Sequence, residues 1–228
     1  MSQQKFQVKS KGESFLKNYP ITLKLAGKQV VVIGGGTVAE RKIHNLLDTG
    51  AIITVISPAI TATIQSWLVT MKINWKKKYF EDDDIRDAFL IVAATNERTV
   101  NGLVLKASRP YQLINVVDDP EGSNFFVPST LHRGKLSISV STSGASPGLA
   151  KKIVTELSSK YDESYEEYLD FLFETRKYIQ KNIPNPEVRR AVLSEVLDEQ
   201  FICLTRQKLY EKRENLMNEL MLKRRDSE

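Results

Sequence analysis

A buried strand that runs directly into a glycine-rich turn is the feature that most constrains the fold of this chain. Residues 29–33 read Gln-Val-Val-Val-Ile, a continuous apolar run of the kind found in strands covered on both faces of a parallel sheet. Gly34, Gly35 and Gly36 end the run, and residues 38–48 are compatible with a helix. This order of strand, glycine turn and helix predicts the first unit of an α/β sheet.

The same alternation of strands and helices continues to about residue 117, and Gly50 is expected to end the first helix. Later strands are predicted from apolar runs, and helices from the segments between them. The predicted strands are 52–56, 72–76, 89–94 and 113–117, and the predicted helices are 59–69 and 98–108. This order predicts a Rossmann-type, doubly wound parallel sheet.

The pattern changes after the predicted sheet. Residues 125–130 and 136–141 alternate with period two around His132-Arg-Gly134, which predicts an antiparallel β-hairpin with a tight turn. From residue 147 the chain is predicted to form an α-helical C-terminal domain, with Ser146 as the N-cap of its first helix.

The glycine turn also carries the strongest functional signal. Gly34, Gly36 and Ala39 fit the pattern G-x-G-x-x-(G/A) between a strand and a helix. The first small residue permits the tight turn, the second lets a pyrophosphate approach the backbone, and the third allows close helix–strand packing. The amides at the helix N-terminus would then face the phosphate charge. The turn therefore predicts a dinucleotide site, and the alternative is a turn with a structural role only.

The expected partner for the ribose is missing from the second predicted strand. Where an Asp or Glu usually binds the ribose, the sequence has Ser57 and Pro58, and no Arg stands beside them to hold a 2′-phosphate. The residues alone therefore favour NAD only modestly over NADP. Thr95 and Asn96 follow the fourth predicted strand, so they are expected at the same edge of the sheet.

Two further polar segments are candidates for binding a reaction partner. Asn115 and Asp118 lie at the end of the fifth predicted strand, where Asp118-Asp119-Pro120 could equally be an ordinary capped turn. The other segment is rich in hydroxyl groups and leads into the first C-terminal helix. It is either a strand exit with a helix cap or an anion site, and its candidates are Ser141, Thr142, Ser143 and Ser146.

Charge and composition exclude several classes of function. The net charge is +5, but residues 1–28 hold six Lys and one Glu and account for all of it. With no long basic stripe or aromatic ladder, nucleic-acid binding is not expected. The tail is interpreted as solvated, or alternatively as helping to attract a polyanionic small molecule. No apolar run approaches the roughly 18 residues of a membrane span, so no membrane association is expected.

Cysteine and histidine usage argues against a metal site. Cys203 is the only cysteine, which excludes an internal disulfide framework and suits a reducing cytoplasm. His44 and His132 are far apart in sequence with no cysteine near either, so no metal ligands are predicted.

Several stretches together resemble one family over about residues 19–160. They are VVVIGGGTVAERK (30–42), VISP (55–58), AATN (93–96), NVVDDPEGSNFFVPS (115–129) and STSGASPGLAK (141–151). In order and spacing they resemble precorrin-2 dehydrogenase, the N-terminal module of siroheme synthases. Because the chain stops where a fused methyltransferase would begin, a stand-alone form is expected.

The resemblance implies an NAD+-dependent oxidation of precorrin-2 to sirohydrochlorin, a tetrapyrrole, in a homodimer built on the hairpin. It places Thr37-Val38 and Pro58-Ala59 where the family holds NAD, and Asp118 on the aspartate assigned to catalysis. Thr142 falls on a serine position near the substrate pocket.

The resemblance leaves the activity open at one point. The chain could also insert Fe²⁺ into sirohydrochlorin, although the short form suggests that a separate chelatase does so. A non-catalytic NAD-sensing module is a further alternative. The predicted organisation is a tail (1–18), an NAD-binding domain (19–117), a dimerisation and substrate region (118–147) and a helical domain (148–228).

Overall fold

The structure is a computed structural model, and it describes residues 18–225. The chain divides into two compact units between Phe126 and Val127. The first unit has a hydrophobic core on each face of its sheet, and the second unit has one of its own. The predicted N-terminal tail, residues 1–18, lies outside the described residues except for Asn18. The predicted functional division at residues 117 and 147 stays a prediction.

The first unit is built on a five-stranded parallel sheet, which confirms the predicted doubly wound architecture. Its strands are β1 Gln29–Ile33, β2 Ile52–Ile56, β3 Asn74–Lys76, β4 Leu90–Ala93 and β5 Leu113–Val116. They lie in the order β3-β2-β1-β4-β5, so that β1 pairs with both β2 and β4. The strand order reverses at β1 and β4, and sheets of this kind bind ligands beyond the carboxyl ends of the strands at that point.

Three helices and one 3₁₀ helix connect these strands. They are α1 Thr37–His44, α2 Ala62–Val69, the 3₁₀ helix Asp82–Ile85 and α3 Arg98–Ala107. The prediction that Gly50 caps the first helix is wrong. The amide of Leu46 bonds to the carbonyl of Ile43 at 2.8 Å, which tightens the chain into turns after His44. Gly50 instead adopts a left-handed conformation, with φ of 73°, before β2.

Alternate residues of β1 enter different cores, as a strand covered on both faces requires. Val30 and Val32 pack in the core that contains Ala39 of α1. Val31 and Ile33 pack in the core on the other face of the sheet. Ala39 is completely buried, which agrees with the requirement for a small residue at the third position of the glycine motif.

The second unit begins with an antiparallel hairpin, β6 Ser129–Arg133 and β7 Leu136–Val140. The prediction that residues 125–130 form its first strand is wrong for residues 125–128. Pro128 has no N–H to offer to a ladder, so pairing begins at Ser129. Phe125 is also held elsewhere, since its carbonyl accepts a hydrogen bond from the side-chain amide of Asn115 in β5.

The turn of the hairpin is also shifted from its predicted position at 132–134. His132 and Arg133 continue β6, and Arg133 lies opposite Leu136. Gly134 and Lys135 therefore form a two-residue loop. Gly134 has a φ of 52°, the left-handed conformation that such loops require.

Up to residue 225, where the described part of the chain ends, five helices follow the hairpin, which confirms the predicted helical C-terminal part. They are α4 Pro147–Lys160, α5 Ser164–Asn182, α6 Pro186–Glu195, α7 Glu199–Arg206 and α8 Tyr210–Arg225. Ser146 caps α4 as predicted, because its hydroxyl oxygen accepts the amide of Leu149 at 3.2 Å. Aromatic and aliphatic side chains such as Phe171, Ile179 and Phe201 form the core. Between residues 18 and 225, no helix combines the length and the apolar character that a membrane span needs.

Candidate functional site

The three glycines after β1 differ in how much room surrounds them. A Cβ on Gly34, where φ is 116°, would lie 2.4 Å from the carbonyl oxygen of Ala94. A Cβ on Gly35 would lie 2.0 Å from the carbonyl oxygen of Ala59. A Cβ on Gly36 would meet nothing within 4 Å. Packing therefore requires the first two glycines, whereas Gly36 leaves space that a ligand can enter.

The start of α1 offers free backbone donors to that space. Gly36 is the N-cap of α1, and it has no side chain with which to cap the helix. The first amides of a helix lack intrahelical partners, and the helix dipole favours negative charge there. Thr37 and Val38 form the first turn, so their position fits the predicted contact with a pyrophosphate.

A cleft of about 640 Å³ opens beside this turn. Its wall includes every residue that the sequence predicted to bind the cofactor. These are Gly34, Gly36, Thr37, Val38, Ser57, Pro58, Ala59, Thr95 and Asn96. The structure thus brings together residues from the ends of β1, β2 and β4, at the point where the strand order reverses.

Ser57 shapes the cleft more than it projects into it. Its side chain is buried, and its hydroxyl donates to the carbonyl of Ala59 at 2.6 Å. The indole N–H of Trp75 in β3 donates to the Ser57 carbonyl at 2.9 Å. These bonds fix the loop after β2, so a direct contact between Ser57 and a ribose stays a prediction.

Sequence reasoning missed a second group of lining residues just beyond β3, Lys78 and Tyr79. The Lys78 ammonium lies 2.8 Å from the Glu81 carboxylate and 3.2 Å from that of Asp84. The hydrogen bond to Glu81 is the main cause that raises the pKa of Lys78. Because β3 pairs with β2, the residues at the end of β3 lie beside Ser57. A predicted pairing of these two strands would therefore have pointed to Lys78 and Tyr79.

Asp118 lies just past β5 and does not line the cleft directly. Its carboxylate accepts a hydrogen bond of 2.8 Å from the side-chain amide of Asn101, which also bonds to Thr95 in the cleft wall. Asp119 turns elsewhere, since its carboxylate accepts the amide of Gly122 at 3.0 Å. The two neighbouring carboxylates therefore bond to different parts of the chain, Asp118 to α3 and Asp119 to the turn at Gly122.

Asn115, a predicted substrate contact, is buried in β5 with both ends of its amide engaged. Its oxygen accepts from the Lys42 ammonium at 2.9 Å, and its nitrogen donates to the Phe125 carbonyl at 3.2 Å. Burial lowers the pKa of Lys42, and the neighbouring charge of Arg41 adds to this effect. Contact between Asn115 and a substrate stays a prediction, and Lys42 was not found from the sequence.

The predicted hydroxyl-rich segment connects β7 to α4 within the second unit. The hydroxyl oxygens of Ser141 and Thr142 accept the amides of Ser143 and Ser146, at 3.2 and 3.1 Å. Ser143 has a φ of 51°, so the segment bends sharply before the helix begins. A hydroxyl that accepts a hydrogen bond can still donate its own proton, so this segment is suited to bind carboxylates.

Three family models match successive parts of the chain. A model described as "Putative NAD(P)-binding" covers residues 21–129. "Sirohaem biosynthesis protein central" covers residues 133–157, and "SirC C-terminal domain" covers residues 165–208. The first match coincides with the parallel sheet and its cleft.

Whole-length relatives decide the family. A precorrin-2 dehydrogenase of Priestia megaterium is 39% identical over 183 residues, which are 80% of this chain and 91% of the relative. A precorrin-2 dehydrogenase of Bacillus subtilis is 34% identical over 69% of this chain and 98% of the relative. The chain belongs to the precorrin-2 dehydrogenase family.

A solved structure and a longer relative agree with this assignment. The structure of "SirC, precorrin-2 dehydrogenase" is 36% identical, with a TM-score of 0.74 over 86% of this chain and 99% of that chain. A siroheme synthase of Xylella fastidiosa is 36% identical over 75% of this chain but only 37% of its own length. The precorrin-2 dehydrogenase fold therefore also matches one part of a longer enzyme.

The residues of this family member fit a nicotinamide dinucleotide. The match to an NAD(P)-binding model coincides with a cleft in which Gly36 leaves the space of a side chain open and α1 presents its N-terminus. The protein is thus an oxidoreductase with a nicotinamide cofactor. Within residues 18–225, no group of three or more His, Cys, Asp or Glu side chains is arranged to hold a metal ion.

Proposed function

We propose that the protein catalyses the NAD+-dependent dehydrogenation of precorrin-2 to sirohydrochlorin, in the biosynthesis of siroheme. The observation that carries this proposal is the open glycine turn at the reversal point of the sheet, in a chain whose relatives are precorrin-2 dehydrogenases. A cleft built for a dinucleotide supports a redox reaction, and the family supplies the identity of the substrate.

The reaction removes two hydrogens from the substrate, one as a hydride and one as a proton. Bound NAD+ supplies the chemistry of hydride acceptance. The chain would contribute placement, since the N-terminal amides of α1 would face the pyrophosphate and the loops after β2 and β4 form the walls of the cleft. We propose that Asp118 accepts the proton or orients a pyrrole N–H of the substrate.

We propose NAD rather than NADP as the cofactor. A 2′-phosphate needs a cation near the end of β2, and Lys78 is the cation among the described residues that line the cleft. Glu81 and Asp84 already pair with Lys78. A 2′-phosphate placed there would meet these two carboxylates as well as the ammonium.

The substrate carries many carboxylates, so it needs a surface rich in hydrogen-bond donors. We assign this role to the hydroxyl-rich segment after β7, whose hydroxyl oxygens already accept backbone amides. Asn115 would contribute through Lys42, whose ammonium it holds.

The hairpin supports a homodimer. In the described part of the chain, β6 and β7 form a sheet of two strands, and such a sheet is marginally stable by itself and leaves both edges unpaired. A second copy could cover those edges.

We also propose a cytoplasmic location, since Cys203 has no second cysteine with which to form an internal disulfide. A further proposal is that a separate chelatase inserts the iron.

The test is an anaerobic assay that combines the purified protein, precorrin-2 and either NAD+ or NADP+. We expect NADH and sirohydrochlorin to appear together in equal amounts, with a clear preference for NAD+. Binding of NAD+ with no oxidation of precorrin-2 would instead support the NAD-sensing alternative. Equal rates with both cofactors would refute only the assignment of NAD, and a monomer in sedimentation at micromolar concentration would refute the dimer.

A further inference from the structure

Asn101 is a polar residue on the buried side of α3. It is 1% exposed, next to apolar core residues such as Val104 of the same helix. Burying an amide costs free energy unless each of its polar atoms finds a partner. Its position in the fold therefore depends on what its side chain binds.

The Asn101 side chain makes four hydrogen bonds. Its oxygen accepts from the Thr95 amide at 3.2 Å and from the Thr95 hydroxyl at 2.8 Å. Its nitrogen donates to the Thr95 carbonyl at 3.2 Å and to the Asp118 carboxylate at 2.8 Å. One carboxamide therefore joins the loop after β4, which lines the cleft, to the residue just past β5.

The bond to Asp118 is the one that fixes a mobile group. Asp118 is an exposed residue, so its carboxylate would otherwise rotate in solvent. In the part of the chain that the structure describes, its side chain has no ion pair, and Asn101 supplies its hydrogen bond. Asn101 is buried and cannot itself rotate without breaking the bonds to Thr95, so it is a rigid donor.

We infer that Asn101 is a positioning residue of the dehydrogenation. It orients the Asp118 carboxylate and fixes its position relative to Thr95 in the loop after β4. This inference rests on the proposed function. Asn101 touches neither reactant, and its effect on turnover passes through Asp118. Misplacement of a reacting group by about 1 Å can cost about 100-fold in rate.

The first variant is Asn101→Asp. It keeps an oxygen that can accept from Thr95, but it replaces the nitrogen that donates to Asp118 and to the Thr95 carbonyl with a second carboxylate oxygen. We expect kcat to fall about 10- to 100-fold at saturating NAD+. The Kd of NAD+, measured by fluorescence titration, should stay close to that of the wild type.

The matched control is Asn124→Asp, the same substitution at an asparagine whose oxygen accepts from the Ile114 amide and whose nitrogen donates to the Gln112 carbonyl, both at 2.8 Å. Because Asn124 bonds to neither Thr95 nor Asp118, we expect kcat to stay close to that of the wild type. An Asn101→Asp variant that raised KM and left kcat unchanged would overturn the inference.

The decisive experiment is the double variant Asn101→Asp with Asp118→Asn. The new amide at position 118 can donate to the new carboxylate at position 101, so the hydrogen bond returns with its direction reversed. We expect the thermal unfolding midpoint, lowered in Asn101→Asp, to recover in part in the double variant, since the donor to the Thr95 carbonyl is not restored. Its kcat should equal that of Asp118→Asn, because Asn101 acts through Asp118 and the two effects are not additive.

The outcomes separate this inference from the proposed function. If the wild-type protein does not oxidise precorrin-2, the proposed function fails. The unfolding midpoints test the hydrogen bond between positions 101 and 118 independently of activity, and a double variant with no recovery would refute that bond. If the wild type is active and Asp118→Asn is slow, a fully active Asn101→Asp overturns only the inference. An equal loss of kcat from Asn101→Asp in both backgrounds, or a fully active Asp118→Asn, overturns it as well.

Discussion

The cleft of the first unit and the helical core of the second unit use their polar groups in opposite ways. In the first unit, the loops after β1, β2 and β4 leave amides and polar side chains at an open edge, where they line a cleft. Among the helices of the second unit, polar groups turn inward to complete the core. The hydroxyl of Tyr168 donates to the Val196 carbonyl at 2.9 Å, and the Arg213 guanidinium lies 4.2 Å from the centre of the Phe171 ring.

This difference predicts where function and stability separate. Substitutions at the open edge of the sheet should change binding or turnover in a protein that still folds. Substitutions in the helical core should change the free energy of unfolding and leave the affinity for NAD+ as it is. The following variants test that separation.

The largest effect is expected from Gly36→Val. The added side chain would fill the space beside the N-terminus of α1, so NAD+ binding should be abolished in a folded protein. The measurement is calorimetric titration of NAD+, together with circular dichroism. The control is Gly148→Val, since Gly148, in the first turn of α4, likewise has nothing within 4 Å of an added Cβ. Unchanged NAD+ affinity in Gly36→Val would show that the glycine turn is structural only.

Asp118→Asn should lower kcat by about 10²- to 10⁴-fold, the usual contribution of a general acid or base, and keep NAD+ binding. Asp119→Asn is the internal control, because an amide oxygen can still accept from Gly122 as the Asp119 carboxylate does. Turnover of precorrin-2 by the three proteins is the measurement. If Asp119→Asn were the inactive variant, the site would stand one residue further along the chain.

Phe201→Ala tests the second unit. Phe201 is 2% exposed, and its ring stacks on that of Phe171 with centroids 5.8 Å apart. Removal of a buried phenylalanine typically costs about 3–5 kcal/mol. Urea unfolding should show this loss, whereas the Kd of NAD+ in the folded protein should not change. A weaker NAD+ affinity would mean that the two units do not separate function from stability.

Tyr168→Phe should have the smallest effect, about 1 kcal/mol for the loss of one hydrogen bond. Burial raises the pKa of Tyr168 from 10 to about 12, so folding favours the protonated phenol. Its stabilisation is complete below pH 10 and is lost as the pH rises toward 12. Urea midpoints of the wild type should therefore fall faster than those of Tyr168→Phe across this range. Parallel curves would contradict the assignment.

The first unit was predictable from the sequence because its strands and its glycine turn are each marked by residues that are neighbours in the chain. A strand buried on both faces must be apolar at every position, so β1 was visible as residues 29–33. The reversal point of the sheet follows from the order of its elements, and this placed Thr95 in the same cleft as Gly36.

The residues that were missed depend on distant partners. Asn101 has the spacing of an ordinary helical residue, and only the folded chain reveals its bond to Asp118. Lys42 and Asn115 are 73 positions apart, so their contact has no local signal. The first strand of the hairpin was predicted to begin too early, because the alternating sequence pattern extends through Pro128. Strand pairing begins only after this proline, which has no N–H to donate.

The unequal crowding of the three glycines has a practical consequence for experiments on the intact reaction. Only position 36 can change in volume without moving the backbone of a neighbouring loop. A series of alanine, serine and valine at this position should yield proteins of one structure with stepwise lower cofactor occupancy. Such proteins would hold the substrate without consuming it, long enough for crystals of the tetrapyrrole complex to grow.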